Sequence, residues 1–246
     1  MPSYQNQGES TSVVFAGKGR SPASRRIYAE SAQLFATLIA ECLACDERPY
    51  VLADIGSYKG ELLAEVLGYL PRHRFSTVAV DINADAMRDN PADRRIVADA
   101  AGTGLSDKVA DVAICRYVLQ WNMPDKQRQI LRELERISKH AVILQHFGSD
   151  VGAHEHRTRI DTVLSGTKVP QLRREDYYMS TAQEIEAWLA EQGLAFQRRS
   201  HIKISHVSDS FVDRYNLTGI DARRVKEALG DYDYIVVTTW ILSPGG

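Results

Sequence analysis

The chain has 246 residues, 44% of them hydrophobic and 25% charged, with 16 Gly and 8 Pro, and this composition excludes a disordered, fibrous or disulfide-stapled miniature protein. Its 30 Lys and Arg against 32 Asp and Glu leave a formal net charge of -2, so no whole-chain attraction draws it to nucleic acid. The longest apolar stretch, around Leu34 to Ala40, is far short of the roughly 20 residues that span a bilayer, and the polar start does not read as a signal peptide.

Three cysteines, Cys42, Cys45 and Cys115, are too few and too uneven for a disulfide framework. Cys42 and Cys45 form a CxxC with no second pair at zinc-finger spacing, so they read as packing residues and no metal is expected. Together these features predict a cytoplasmic protein with neither a membrane nor a nucleic acid as partner.

Residues 1 to 20 are rich in Ser, Gly, Gln and Asn and read as a flexible arm. Ser21 and Pro22 then open a helix as N-cap and first residue, and Ile27, Leu34, Phe35, Leu38, Ile39 and Cys42 carry its apolar face to about Cys45. From Tyr50 short apolar runs alternate with helical stretches. The runs predict strands at Tyr50 to Ile55, Phe75 to Val80, Arg95 to Ala98, Asp111 to Arg116 and Ala141 to His146. Helices are predicted at Gly60 to Leu70, Ala84 to Arg88 and Pro124 to Ser138, an alternation that calls for a parallel sheet covered on both faces. A polar segment from Phe147 to Ser180 follows, then a helix from Thr181 to about Gln192 and a strand near Phe196 to Ser205. An insertion from His206 to Gly230 and a last strand, Tyr232 to Leu242, complete the chain. Residues 21 to 246 are therefore expected to form a single domain.

The run Leu52-Ala53-Asp54-Ile55-Gly56-Ser57-Tyr58-Lys59-Gly60-Glu61 passes from a strand through a glycine-containing turn into a helix, where the backbone must bend sharply and admit a ligand closely. The second strand ends at Asp81, 21 residues after Gly60, where a carboxylate can accept from both hydroxyls of a ribose. The third ends in Ala98-Asp99-Ala100, so three acidic strand ends follow in succession.

These residues resemble the class I S-adenosylmethionine-dependent methyltransferases, in particular the small-molecule branch. The resemblance covers Tyr50 to Phe147 and includes Asp111-Val-Ala-Ile-Cys-Arg-Tyr-Val-Leu-Gln-Trp121, similar to the family's fourth strand and the loop after it. It implies an α/β, Rossmann-like, seven-stranded sheet in the order 3-2-1-4-5-7-6, last strand antiparallel, with helices on both faces and lid insertions. It further implies that Gly56 and Gly60 line the methionine moiety of S-adenosylmethionine, that Asp81 holds the ribose and that Asp99 accepts from the adenine amino group, with Ser57, Tyr58, Ile82 and Ala100 as further candidate cofactor contacts. Asp54 would orient the loop or reach the ligand's ammonium through water, and Cys115 would stand against the cofactor. Tyr58 departs from the pattern, since it occupies the middle glycine: either the loop tolerates a side chain there or Tyr58 packs on the ligand. The prolyl aromatic tetrapeptide of many nucleic-acid and glutamine methylating enzymes is replaced by Cys115-Arg116-Tyr117-Val118.

In such a sheet order, 147 to 180 and 206 to 230 leave the edge that carries the acidic strand ends, and with 22 to 45 they are expected to cap a pocket for a small, secondary-metabolite-like acceptor. Arg116 and Tyr117 are candidate acceptor contacts and His146 the candidate general base, while Trp121 reads as core. His154, Glu155 and His156, with Arg157, Arg159, Arg173 and Arg174, fall in an insertion and read as solvated loop residues before site residues, and His206 opens the second insertion. Two other readings use the same fold: a non-catalytic cofactor-binding protein, and a nicotinamide-dependent oxidoreductase, whose Gly-x-Gly-x-x-Gly differs from Gly56-x-x-x-Gly60 and leaves Asp99 unexplained.

Overall fold

The computed structural model describes residues 22–43, 48–148, 150, 155, 158, 178–205, 218–232 and 234–244. Helix α1 spans Pro22–Cys42, and the alternating region runs β1 (Tyr50–Ile55), α2 (Glu61–Tyr69), β2 (Phe75–Asp81), α3 (Ala84–Arg88), β3 (Arg94–Val97), β4 (Ala110–Arg116), α4 (Pro124–Ile137) and β5 (Ser138–Gly148). Beyond it lie α5 (Ala182–Glu191), β6 (Ala195–Ser205), α6 (Gly219–Leu229) and β7 (Tyr234–Ser243). The expected elements are all present with ends shifted by a few residues, and α6 is a helix inside a stretch the sequence left as an insertion. Among the described residues of α6 only Val225 and Leu229 are buried, which is too little periodicity to mark a helix in advance.

The seven strands form one sheet in the order β3-β2-β1-β4-β5-β7-β6. Pairing is parallel from β3 through β5, and β7 runs antiparallel to both β5 and β6. Strand β4 is buried along its whole length because it lies mid-sheet with helices over both faces. One face packs beneath α4 and α5 through Ile130, Leu131, Leu134, Ile137, Ile185, Trp188 and Leu189. Pro124 and Asp125 open α4 and Arg136 closes it, in keeping with the helix dipole, while Thr181 and Glu184 cap α5 reciprocally.

The opposite face packs beneath α1 and α2 through Ala32, Phe35, Leu38, Ile39, Leu62, Leu63 and Val66. The apolar stripe of α1, a helix expected as a cover over a pocket, is buried against the sheet from Ala32 to Ile39. The expected N-cap Ser21, together with Cys45 and the arm 1 to 20, lies outside the described residues. Parallel pairing brings the carboxyl ends of β1 to β4 to one edge, and with them Asp54, Asp81, Asp99 and Arg116.

Candidate functional site

The turn after β1 is knitted to the end of β2. The Gly56 and Ser57 amides both donate to the Val80 carbonyl, at 2.7 and 3.1 Å, so the turn leaves the sheet next to Asp81. Gly56 has φ 74°, and a side chain there would drive a Cβ to 2.1 Å from Cγ2 of Val118, which packs across the turn from the β4 side. Gly60, at φ 72°, is the left-handed N-cap of α2 and lies against Pro91 and Asn90. Between them Tyr58 adopts φ 50°, the left-handed conformation that a glycine takes without strain. Both of its backbone groups are held: the amide donates to Asp81 Oδ2 at 2.7 Å, and the carbonyl accepts from Asn90 Nδ2 at 3.0 Å. The loop therefore keeps the glycine-like path and carries a tyrosine on it. Asn90, which nothing in the sequence singled out, also donates to Ser57 Oγ at 2.8 Å and staples the turn to the loop before β3.

The Asp81 carboxylate accepts from the amides of Tyr58 and Asn83, at 2.7 and 2.8 Å, one on each oxygen. Burial raises its pKa and the backbone donors oppose this, so the group is set rigidly with acceptor capacity remaining on both oxygens. Ile82 follows it, 45% exposed. Asp81, Asp54 and Arg116 share one face: Asp54 pairs with Ala79 and Ile114, which lie two residues before Asp81 and Arg116 respectively. That face is the one beneath α1 and α2, and the row continues through Gln145 of β5 to Thr239 of β7.

Asp54 is 2% exposed and its Oδ2 accepts no hydrogen bond among the described residues. Burial, then the nearby Asp81 charge, push its carboxyl up to about 7, with Arg116 acting in the opposite sense. Arg116 is 8% exposed; its Nε donates to Gln145 Oε1 at 2.9 Å and its guanidinium lies 4.0 Å from the centre of the Tyr117 ring. Gln145 is held in turn by Ser31 of α1, which donates to Oε1 at 3.1 Å, and by donating from Nε2 to Thr239 Oγ1 at 3.0 Å.

Past β3, Asp99 accepts from the Ala101 amide at 2.9 Å on Oδ1 and pairs through Oδ2 with Lys126 of α4. Ala100 beside it packs against the apolar cluster under α4. The next turn is anchored by Glu133, whose Oε1 accepts from both the amide and hydroxyl of Thr103 at 2.8 and 2.6 Å. Arg136 clamps the same carboxylate and is the largest of the influences that hold its pKa down to about 2.

Residues 53–144 match the family model described as a methyltransferase domain. This segment, β1 to β5, is similar to a methyltransferase domain. Solved structures share the fold over almost the whole chain. The chain has a TM-score of 0.68 and 12% identity to a putative sarcosine dimethylglycine methyltransferase from Galdieria sulphuraria, covering 98% of this chain and 99% of that one. For the YcgJ protein of Bacillus subtilis the TM-score is 0.64 at 16% identity, over 88% of this chain and 99% of the other. A geranyl diphosphate C-methyltransferase from Streptomyces coelicolor A3(2), crystallised with Mg2+, geranyl diphosphate and S-adenosyl-L-homocysteine, gives 0.59 at 12% identity, over 100% and 88%. No curated protein matches the sequence.

Within the matched segment, Gly56, Ser57, Tyr58, Gly60, Asp54, Asp81 and Arg116 come together, and Asp99 stands on the same edge after β3. Tyr117, at φ 57°, turns the chain off β4, and its ring also meets Phe147 edge-on at 5.8 Å. Two expected residues stand elsewhere. The Cys115 side chain is fully buried in the cluster beneath α4 and α5, with Ala53 and Ile55, and burial pushes its thiol pKa up. His146 lies on the face opposite Gln145 and Arg116, is 1% exposed, and its Nε2 donates to the Ser180 carbonyl at 3.0 Å. Burial pulls its pKa to about 4, which makes it a weak proton acceptor, and its hydrogen bond fastens segment 178–180. Trp121, expected in the core, is half-buried in a short 3-10 turn after β4. His154, His156, His206, Arg157, Arg159, Arg173 and Arg174 lie outside the described residues, and among those described no helix is long and apolar enough to cross a membrane.

Proposed function

We propose that this chain transfers the methyl group of S-adenosylmethionine to a small-molecule acceptor, with the donor laid across the carboxyl ends of β1, β2 and β3. The observation that carries the reading is Asp54: a buried carboxylate with an unpartnered oxygen beside a glycine turn is left incomplete until a cationic ligand reaches it. In this reading Asp81 accepts from the ribose hydroxyls, Ile82 covers the sugar, and Asp99 with Ala100 receives the adenine, Lys126 sharing the Asp99 carboxylate. Gly56 to Gly60 border the methionine moiety.

The bound donor supplies an activated methyl on a sulfonium, so the chain's task is alignment and exclusion of water. Tyr58 and Tyr117, both in left-handed backbone conformations at this edge, fix the two turns between which the methyl must pass. The acceptor side is bordered by half-buried Tyr117 and Phe147, packed on the buried cluster of Met179, Ile235 and Val237, and this apolar lining favours a small, largely apolar acceptor. With His146 facing away and weakly basic, the reading assigns no base and favours an acceptor atom that is nucleophilic without one. Calorimetry with S-adenosylhomocysteine, followed by methyl transfer from labelled donor across a metabolite panel, tests it. Binding of the nucleoside together with label in a small product is expected; binding of a nicotinamide dinucleotide in its place would overturn the reading.

A further inference from the structure

Three residues of the turn after β1 have positive φ, Gly56 at 74°, Tyr58 at 50° and Gly60 at 72°, and only the middle one carries a side chain. Glycine enters this left-handed region freely, whereas an L residue is disfavoured there by about five- to thirtyfold. A turn with Tyr58 at its centre would leave this path if nothing held it, and the path is what a ligand at the strand ends meets.

The hold comes from outside the turn. The Tyr58 amide donates to Asp81 Oδ2 at 2.7 Å, and its carbonyl accepts from Asn90 Nδ2 at 3.0 Å. Asp81 faces the donor in its own right in the reading above, but Asn90 has no such task. Asn90 is 3% exposed, its Nδ2 donates also to Ser57 Oγ at 2.8 Å, and its Oδ1 accepts from the Ala92 amide at 3.0 Å, so the carboxamide cannot rotate without losing all of these bonds. It lies close enough to Tyr58 because position 60 has no side chain: a Cβ on Gly60 would stand 2.8 Å from Asn90 Oδ1 and 2.6 Å from Pro91 Cδ. The glycine kept at 60 and the asparagine at 90 are thus parts of one arrangement, and together they make up for the glycine missing at 58. Resting on the donor-binding reading above, we propose that Asn90 is a positioning residue for the methyl donor, bracing Tyr58 through its carbonyl in the left-handed path that borders the methionine moiety. It acts entirely through the Tyr58 backbone.

Calorimetry with S-adenosylhomocysteine on the wild-type protein, Asn90→Ala, Tyr58→Gly and the double variant tests the brace. With tyrosine at 58, Asn90→Ala should weaken binding by about tenfold, the scale of a left-handed L residue left unheld. With glycine at 58 the same substitution should change affinity by no more than about twofold, because glycine keeps the path without help. Urea unfolding separates this from a merely structural effect: Asn90→Ala should lower stability in both backgrounds, since the bonds to Ser57 and Ala92 are lost in each. Amide hydrogen exchange from Gly56 to Gly60 in the ligand-free protein needs no ligand as readout, and Asn90→Ala should speed it about tenfold only while Tyr58 is present. Should Asn90→Ala not fold, Asn90→Asp keeps the acceptor for Ala92 and loses the donor, and the same contrast between tyrosine and glycine is expected of it. Equal losses of affinity and protection in both backgrounds, or no loss with tyrosine at 58, would overturn the brace. A wild-type protein that shows the exchange contrast but does not bind S-adenosylhomocysteine would instead overturn the donor reading on which the purpose of the brace rests.

Discussion

Replacing Asp54 by Asn should stabilise the ligand-free protein above neutral pH, although it removes a group from the site. Asp54 is 2% exposed and its carboxyl is pushed up to about 7, first by burial and then by Asp81. The unfolded chain carries the same group near 3.9, so the native state binds the proton more tightly and stability falls as pH rises between the two values. The favourable contribution is complete below about pH 4 and is lost as pH passes about 7. At about 1.4 kcal/mol per unit, burying Asp54 costs about 4 kcal/mol near pH 8, where it stays ionised in the folded state, and about 1.5 kcal/mol near pH 5, where it takes up a proton on folding. Asparagine removes the charge at nearly constant volume. The variant's advantage over wild type in urea unfolding should therefore grow by about 2 to 3 kcal/mol from pH 5 to pH 8. The groups that act on Asp54 are Asp81 on β2 and Arg116 on β4, with the Cys115 thiol on its other side; Asp81 is also raised by burial, so repeating the measurement in an Asp81→Asn background isolates the Asp54 share. An advantage that does not change with pH would refute the claim that this carboxylate is buried without compensation. Function at the expense of stability is a common arrangement where a site must hold a charge for its ligand.

Asp81→Ala should weaken S-adenosylhomocysteine by about 1.5 to 3 kcal/mol in calorimetry, and unchanged affinity in a folded variant would remove Asp81 from the ribose site. Glu133→Gln should cost about 2 to 3 kcal/mol at neutral pH, because a pKa held down to about 2 stabilises the fold above about pH 4 and that gain disappears as pH falls toward 2; unfolding at pH 7 and pH 3 measures the difference. Gly56→Ala should cost about 2 kcal/mol or more, part from the left-handed backbone and part from Val118, and a Val118→Ala partner should recover only the second part. In hydrogen exchange, the buried half of α1 from Ala32 to Ile39 should be as protected as α4 before ligand is added, whereas the turn around Gly56 should slow on adding S-adenosylhomocysteine; fast exchange throughout α1 would restore it as a mobile cover.

The sheet was legible because its signals are local. Apolar runs of strand length alternating with helical periodicity, a glycine turn after the first strand and acids after the next two are properties of consecutive residues, and they placed β1 to β5, α2 and α4 within a few positions. The identity of Asp54, Asp81 and Asp99 as edge residues followed from the same spacing. What the sequence left open is which face each strand-end side chain occupies relative to its neighbours. Alternation gives the face within a strand, but the relation between strands depends on register, and register exists only once the strands pair. Only the pairing of Asp54 with Ile114 sets Arg116 beside Asp54, and only the pairing of Arg116 with Gln145 turns His146 to the other side with Cys115. The fate of α1 was undetermined for a similar reason: an amphipathic stripe states that a helix must bury one side, not whether the surface it meets is the sheet or a ligand pocket. Lys126 on Asp99, Asn90 on the glycine turn and Glu133 on Thr103 join residues about 27 to 33 positions apart, and such contacts have no signature in a single sequence because they are created by the packing of α4 and of the loop before β3 against strand ends that local pattern alone does not bring together.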